Sequence, residues 1–200
     1  MILPRVYPIV ESAAWVRRLA PLGVRLVQLR IKELPLERVA AEIRAAQASC
    51  RAHGVQLIVN DYWQLALAAG CDFVHLGQGD LAAADLPALR RAGVRLGVST
   101  HDEGELERAL AASPDYVALG PIYPTLLKVM PWQPQGLARL RAWKDRIGVL
   151  PLVAIGGLTV ARLPGVFAAG ADVAAVVTDI VRADDPDART REWLAVAAAA

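Results

Sequence analysis

The residues best suited to chemistry alternate along Val27-Gln28-Leu29-Arg30-Ile31-Lys32. An amide, a guanidinium and an ammonium two positions apart share one face of a strand. Val27, Leu29 and Ile31 then take the other face. On a half-exposed strand the polar face would simply be solvated. On a strand buried on both sides it requires an anionic partner, because unpaired buried charge is very costly. A phosphate or pyrophosphate is the simplest such partner for an arginine fork and a lysine point charge. Further along stand Asn60-Asp61, the run His75-Leu76-Gly77-Gln78-Gly79-Asp80, Ser99-Thr100-His101, Lys128, Gly156-Gly157 and Thr178.

The elements that must position these groups are legible as eight strand-like runs, most of them followed by a helical pattern. The strands are expected at Arg5–Val10, Leu26–Ile31, Gln56–Asn60, Phe73–Leu76, Arg95–Ser99, Tyr116–Leu119, Leu152–Ile155 and Val173–Val177. Helical periodicity is clearest at Leu36–His53, Glu103–Ala111, Gly136–Arg146 and Val160–Ala169, and Gly54 ends the first of these as a C-terminal glycine should. Ala68-Ala69-Gly70-Cys71-Asp72-Phe73-Val74 is echoed by Ala168-Ala169-Gly170-Ala171-Asp172-Val173-Ala174, and more loosely by Ser113-Pro114-Asp115-Tyr116-Val117. Each copy reads as a helix end, a turn with Asp, then a buried strand. Repeated units of this kind predict a single-domain α/β fold, a closed (β/α)₈ barrel of the TIM type. A doubly wound open sheet is the alternative, weakened because no G-x-G-x-x-G follows the first strand.

In such a barrel the groups named above fall at the C-terminal ends of the strands, where barrel enzymes keep their sites. Two anion sites follow. Gly156-Gly157 and Thr178 suit a phosphate held by backbone N–H groups after strands 7 and 8. Arg30, Lys32 and Lys128 form a second, cationic cluster. Asp61 and Asp80 pair two carboxylates near that cluster, the usual way to hold Mg²⁺ beside a pyrophosphate. Plainer roles stay open for each. Asn60-Asp61 could cap a helix starting near Tyr62, Gly156-Gly157 could be a tight turn, and Thr178 and Ser99 could cap helices. His75 reads as a strand-end hydrogen bonder, and His101 as a residue that orients its loop. Trp15, Trp63, Trp143 and Trp193 read as packing, whereas Trp132, in a long loop, is better placed to cover a ligand.

These segments, in this order, resemble the thiamine-phosphate synthase (thiamine-phosphate pyrophosphorylase) family. The matching stretches are Val27 to Lys32, Val59-Asn60-Asp61, Val74 to Asp80, Gly97 to His101, Leu119 to Thr125, Val153 to Gly157 and Val176-Val177-Thr178. The resemblance implies a barrel that joins 4-amino-2-methyl-5-hydroxymethylpyrimidine diphosphate to a thiazole monophosphate and releases pyrophosphate. It implies that Gln28, Arg30, Lys32, Asn60, Ser99 and Lys128 hold the pyrimidine diphosphate, with Arg30, Lys32, Ser99 and Lys128 as the catalytic set. By the same resemblance Asp61 and Asp80 bind Mg²⁺, and Thr125, Gly157, Val177 and Thr178 hold the thiazole phosphate. Leu126 and Leu127 depart from the family, which commonly carries a further Thr just before the Lys. The implied mechanism is dissociative substitution without a protein nucleophile. Two rivals share the fold: a thiazole tautomerase, which uses a His where this chain has Pro121, and a non-catalytic barrel that binds thiamine phosphates.

Composition narrows the classes further. The chain has 200 residues, 55% of them apolar, and a net charge of +2. That fits one domain with a substantial core and gives no basic run for nucleic acid or a membrane surface. The run Ala195 to Ala200 is too short to span a bilayer. Cys50 and Cys71 lack metal spacing and no secretory leader pattern is evident, so the expectation is a cytoplasmic protein with reduced, packed thiols. The expected partners are the small-molecule substrates, and the sequence leaves open whether the chain forms a homo-oligomer.

Overall fold

The computed structural model describes residues 3–125 and 132–200. Eight parallel strands close on themselves in chain order: β1 (Val6–Val10), β2 (Leu26–Leu29), β3 (Gln56–Asn60), β4 (Phe73–Leu76), β5 (Arg95–Thr100), β6 (Tyr116–Leu119), β7 (Leu152–Ala154) and β8 (Val173–Val176), with β8 pairing back onto β1. The helices that return the chain are α1 (Ala13–Leu19), α2 (Leu36–His53), α3 (Trp63–Ala68), α4 (Gln78–Ala83), α5 (Leu86–Arg91), α6 (Glu103–Ala111), α7 (Gly136–Ile147), α8 (Leu163–Ala168), α9 (Thr178–Val181) and α10 (Pro186–Ala199). The open-sheet alternative is therefore excluded.

Strand alternation sorts the core into two parts. Val27, Leu29 and Ile31 pack outward against α2 residues such as Val39 and Ile43. Tyr7, Ile9, Leu26, Ile58, Phe73, Tyr116 and Val153 fill the barrel interior. Gln28, between Leu26 and Arg30, points to that interior and is 2% exposed. The face division expected for β2 thus holds. Its extent does not: the strand stops at Leu29, two residues short of Ile31. Arg30 still donates its N–H to Val10 O (2.7 Å). The chain then leaves the sheet, and the run from Lys32 to Arg38 is exposed. The pleat that would have turned Lys32 inward is gone by that point.

The three repeat copies share one physical device. After α3, after α8 and before β6 the chain turns through a positive φ, at Gly70, Gly170 and Ser113 respectively. An Asp then ties the next strand to its neighbour. Asp115 accepts from Leu96 N–H, Asp172 accepts from Leu152 N–H and Lys144 Nζ, and Asp72 accepts from Arg95 and Gln56. These ties lie at the strand starts, so the opposite end is left for the site.

One interior glycine decides the packing. Gly97 on β5 pairs with His75 on one side and Tyr116 on the other. A Cβ at Gly97 would lie 2.1 Å from Tyr116 Cζ, so the phenol ring occupies the space a side chain would need. Gly97→Ala is expected to destabilise the fold by about 3 kcal/mol, at the upper end of overpacking costs. In a chain of this size that lowers Tm by roughly 6–12 °C, measurable by calorimetry.

The remaining packing expectations hold. Trp143 and Trp193 are buried on α7 and α10, and Trp143 Nε1 donates to Thr100 Oγ1 (3.0 Å), fastening α7 to β5. Cys50 and Cys71 are free, buried thiols, pushed by burial up to about 12 and about 11 respectively. At those values neither is a reactive thiolate near neutral pH. Among the described residues no helix is long and apolar enough to cross a membrane.

Candidate active site

A cavity of about 340 Å³ opens at the C-terminal end of the barrel. Its wall brings together Gln28 from β2 and Arg30 just after it, Asn60 at the end of β3 and Asp61 just after it, Asp80 from α4, and Ser99 from β5. Opposite lie Thr125, Gly156, Gly157, Val177 and Thr178. Ten of the twelve residues expected in the site therefore meet in one cavity. Lys32 is exposed and lies outside its lining, and Lys128, like Leu126 and Leu127, falls outside the described residues.

The alternative roles can now be judged. Asp61 has φ 62°, donates its N–H to His75 O (2.9 Å) and makes no cap to α3, which starts at Trp63 without a side-chain cap. Its carboxylate is thus not spent on a helix end and lies on the cavity wall beside Asn60 and Asp80. Asp80 sits in the first turn of α4 and lines the same wall. Burial pushes the Asp61 carboxyl above the ordinary carboxylate range, and the nearby Asp80 adds to this. The Arg30 guanidinium opposes both. Two crowded carboxylates facing a phosphate-sized cavity suit a hard divalent cation, which relieves their repulsion and takes further oxygens from water or ligand.

The second wall is built from backbone. Gly156 and Gly157 adopt φ 98° and 64°. A Cβ at Gly157 would fall 2.4 Å from Pro124 O, and one at Gly156 would fall 2.6 Å from Pro121 Cα. Ile122 N–H donates to Ile155 O (2.9 Å) and Tyr123 N–H to Gly156 O (3.0 Å), so the loops after β6 and β7 pack as one unit. Arg162 donates to Gly157 O and lies 4.2 Å over the Tyr123 ring. The double glycine is therefore more than a turn. It allows the close approach of Tyr123 and Pro124 to Gly157, and Thr125, Gly157 and Thr178 line the same cavity. Thr178 opens α9 without serving as its N-cap residue, a position taken by Val177.

His75 and His101 do what their positions suggested. His75 lies inside the barrel, hydrogen-bonded at Nδ1 to Tyr116 Oη and at Nε2 to Ser99 Oγ, both at 2.7 Å. Burial, with some help from Arg30, lowers its pKa to about 4, so it is neutral at physiological pH. His101 is held by Glu105, which accepts from both its N–H and its ring. Its ring stacks on Trp132 at 5.5 Å, so Trp132 covers a residue of the cavity wall. Sequence reasoning overlooked Tyr7, which lines the cavity, and Tyr116, which lies beneath it. Each sits in a strand without polar alternation to mark its inner face. Gly97, the partner of Tyr116, was the available signal.

A closed parallel barrel with carboxylates, an arginine and paired glycines around a cavity at its C-terminal mouth has the form of a barrel enzyme. The family model for thiamine monophosphate synthase matches residues 5–180. A thiamine-phosphate synthase of Rhizobium etli is 64% identical over 96% of this chain and 94% of that protein. One of Salmonella newport is 50% identical over 96% and 90%. The fold is shared with a thiamine phosphate pyrophosphorylase from Pyrococcus furiosus, with a TM-score of 0.86 at 24% identity over 98% of this chain and 96% of that one. The chain belongs to the thiamine monophosphate synthase family, a family of transferases.

Proposed function

We propose that the protein condenses hydroxymethylpyrimidine diphosphate with thiazole phosphate to give thiamine phosphate and pyrophosphate. The observation that carries this reading is the pairing of two different anion walls across one cavity: Arg30 with Asp61 and Asp80 on one side, Gly157 with Thr125 and Thr178 on the other. One suits a metal-bound diphosphate, the other a monophosphate held by backbone N–H groups.

In this mechanism Gln28, Asn60 and Ser99 orient the pyrimidine diphosphate and Arg30 receives charge as it develops on the leaving group. Lys32, at the exposed rim, and Lys128 supply further positive charge. The bond from the pyrimidine methylene carbon to the diphosphate oxygen breaks with its electron pair on pyrophosphate. The thiazole nitrogen lone pair then forms the new C–N bond, with no proton to transfer and no protein nucleophile. Asp61 and Asp80 would hold Mg²⁺, which when bound neutralises diphosphate charge as a Lewis acid. Thr125, Gly157, Val177 and Thr178 keep the thiazole phosphate at fixed separation, so the second step is effectively unimolecular.

The test is to mix both substrates with Mg²⁺ and follow pyrophosphate. One pyrophosphate released per thiamine phosphate formed supports the synthase. A tautomerase or a silent binding barrel releases none, and that result rejects the proposal.

A further inference from the structure

Along the floor of the cavity an unbroken chain of hydrogen bonds crosses the barrel interior. Gln28 Nε2 donates to Tyr7 Oη (2.8 Å). Tyr7 Oη meets Tyr116 Oη at 3.0 Å. Tyr116 Oη meets His75 Nδ1, and His75 Nε2 meets Ser99 Oγ, each at 2.7 Å. Tyr116 is fully buried and lies off the cavity lining, so its hydroxyl is matched within the chain, by Tyr7 Oη and His75 Nδ1.

With Gln28 as the donor at one end, one direction satisfies every member without a partner from the cavity. A phenol has one proton. Tyr7 receives from Gln28, so its own proton goes to Tyr116. The Tyr116 proton then goes to Nδ1, which must be the bare nitrogen of a neutral imidazole. The ring proton is left on Nε2 and is given to Ser99 Oγ. The Ser99 hydroxyl proton is thereby released toward the cavity, and Gln28 keeps Oε1 as the acceptor. The opposite order requires the Gln28 amide to turn over or the Tyr7 proton to point into the cavity, and it would direct the Ser99 hydroxyl proton to His75.

We infer that Tyr7, Tyr116 and His75 are positioning residues whose one-way hydrogen-bond chain makes Gln28 an acceptor and Ser99 a donor toward the bound substrate. This deepens the proposed function and rests on it for the identity of the substrate. An acceptor at one end of the chain suits the exocyclic amine of an aminopyrimidine. A hydroxyl donor at the other end suits its anionic diphosphate. Three residues that touch no reacting atom thus set the chemical sense of two that do. Gly97 belongs to the same device, because only a glycine there lets the Tyr116 ring lie flat enough to stack on His75 (centroids 5.6 Å apart, planes 14° apart).

Nitrogen NMR of the histidine rings tests the direction without any substrate, the His75 signals being assigned by their loss in His75→Gln. The expected spectrum shows a neutral ring with its proton on Nε2. A proton on Nδ1 overturns the inference, whatever reaction the protein performs. Kinetics test the consequence. Tyr116→Phe is expected to raise KM for the pyrimidine diphosphate about tenfold, the scale of one hydrogen bond to a charged group, and to leave KM for the thiazole phosphate unchanged. In a Ser99→Ala background the same change is expected to cost nothing further, because its effect runs through Ser99. His75→Gln, which keeps a donor at the Nε2 position, is expected to restore near-normal KM where His75→Leu does not. Tyr7→Phe, which frees the Gln28 amide to rotate, is expected to reduce discrimination between the 4-amino substrate and its 4-oxo analogue. Additive losses in the double variant, or discrimination unchanged in Tyr7→Phe, contradict the positioning role. Pyrophosphate absent from the wild-type reaction, with the NMR result as expected, rejects the synthase reading and leaves the chain intact.

Discussion

Asp61→Ala is expected to lower kcat/KM for pyrophosphate release by at least about 10³-fold, or about 4 kcal/mol of transition-state stabilisation. The carboxylate has no structural task to soften the loss. It caps no helix, and burial and Asp80 together make its charge unfavourable in the empty protein. Stability should therefore move opposite to activity. The folded-state pKa of Asp61 lies above its unfolded value, so between the two values the native protein binds more protons than the unfolded chain. Stability then falls as pH rises through that window. Asp61→Asn removes this cost. It is expected to melt above the wild type at neutral pH and to converge with it as the solution is made acidic, while remaining inactive. A variant that lost activity by unfolding would show the reverse, a lower Tm at neutral pH.

The second large effect is expected at Arg30. Arg30→Ala should reduce kcat/KM for the pyrimidine diphosphate by about 10²- to 10³-fold, the scale found when a single donor to developing charge is removed. KM for the thiazole phosphate should be unchanged, because that ligand is assigned to the far wall. Arg30→Lys restores charge without the planar fork and should recover only part of the loss. Arg30 also holds down the Asp61 pKa against burial and Asp80. Its removal should shift the acid limb of the pH–rate profile to higher pH, since activity needs Asp61 ionised. Steady-state kinetics in each substrate across pH give both readouts.

Much of this was legible because strand periodicity and barrel topology act together. Gln28 faces inward because the pleat alternates, and Val27 and Leu29 face the helices for the same reason; Arg30 and Ile31 keep that sense just past the strand, where Arg30 N–H still bonds Val10 O. The Asp-containing repeats pointed to repeated βα units, and the rule that barrel sites lie at the C-terminal strand ends placed the functional end. Lys32 shows where the pattern fails. Alternation carries orientation only while the strand lasts, and β2 ends at Leu29. The Asp61 backbone, with φ 62°, left no trace in residue type, since Asn-Asp is equally a capping pair. The Tyr7–Tyr116–His75 chain was hidden because its members lie far apart in sequence and meet only when the barrel closes. The departure at Leu126 and Leu127 falls outside the described residues and plays no part in the geometry above.

The proposed reaction requires two phosphorylated ligands to occupy one barrel mouth together. Titration calorimetry with pyrophosphate, run with and without Mg²⁺ on protein saturated with thiazole phosphate, tests this directly. Pyrophosphate is expected to bind the loaded protein in a Mg²⁺-dependent step that Asp61→Ala abolishes. Competition between the two ligands for a single place would contradict it.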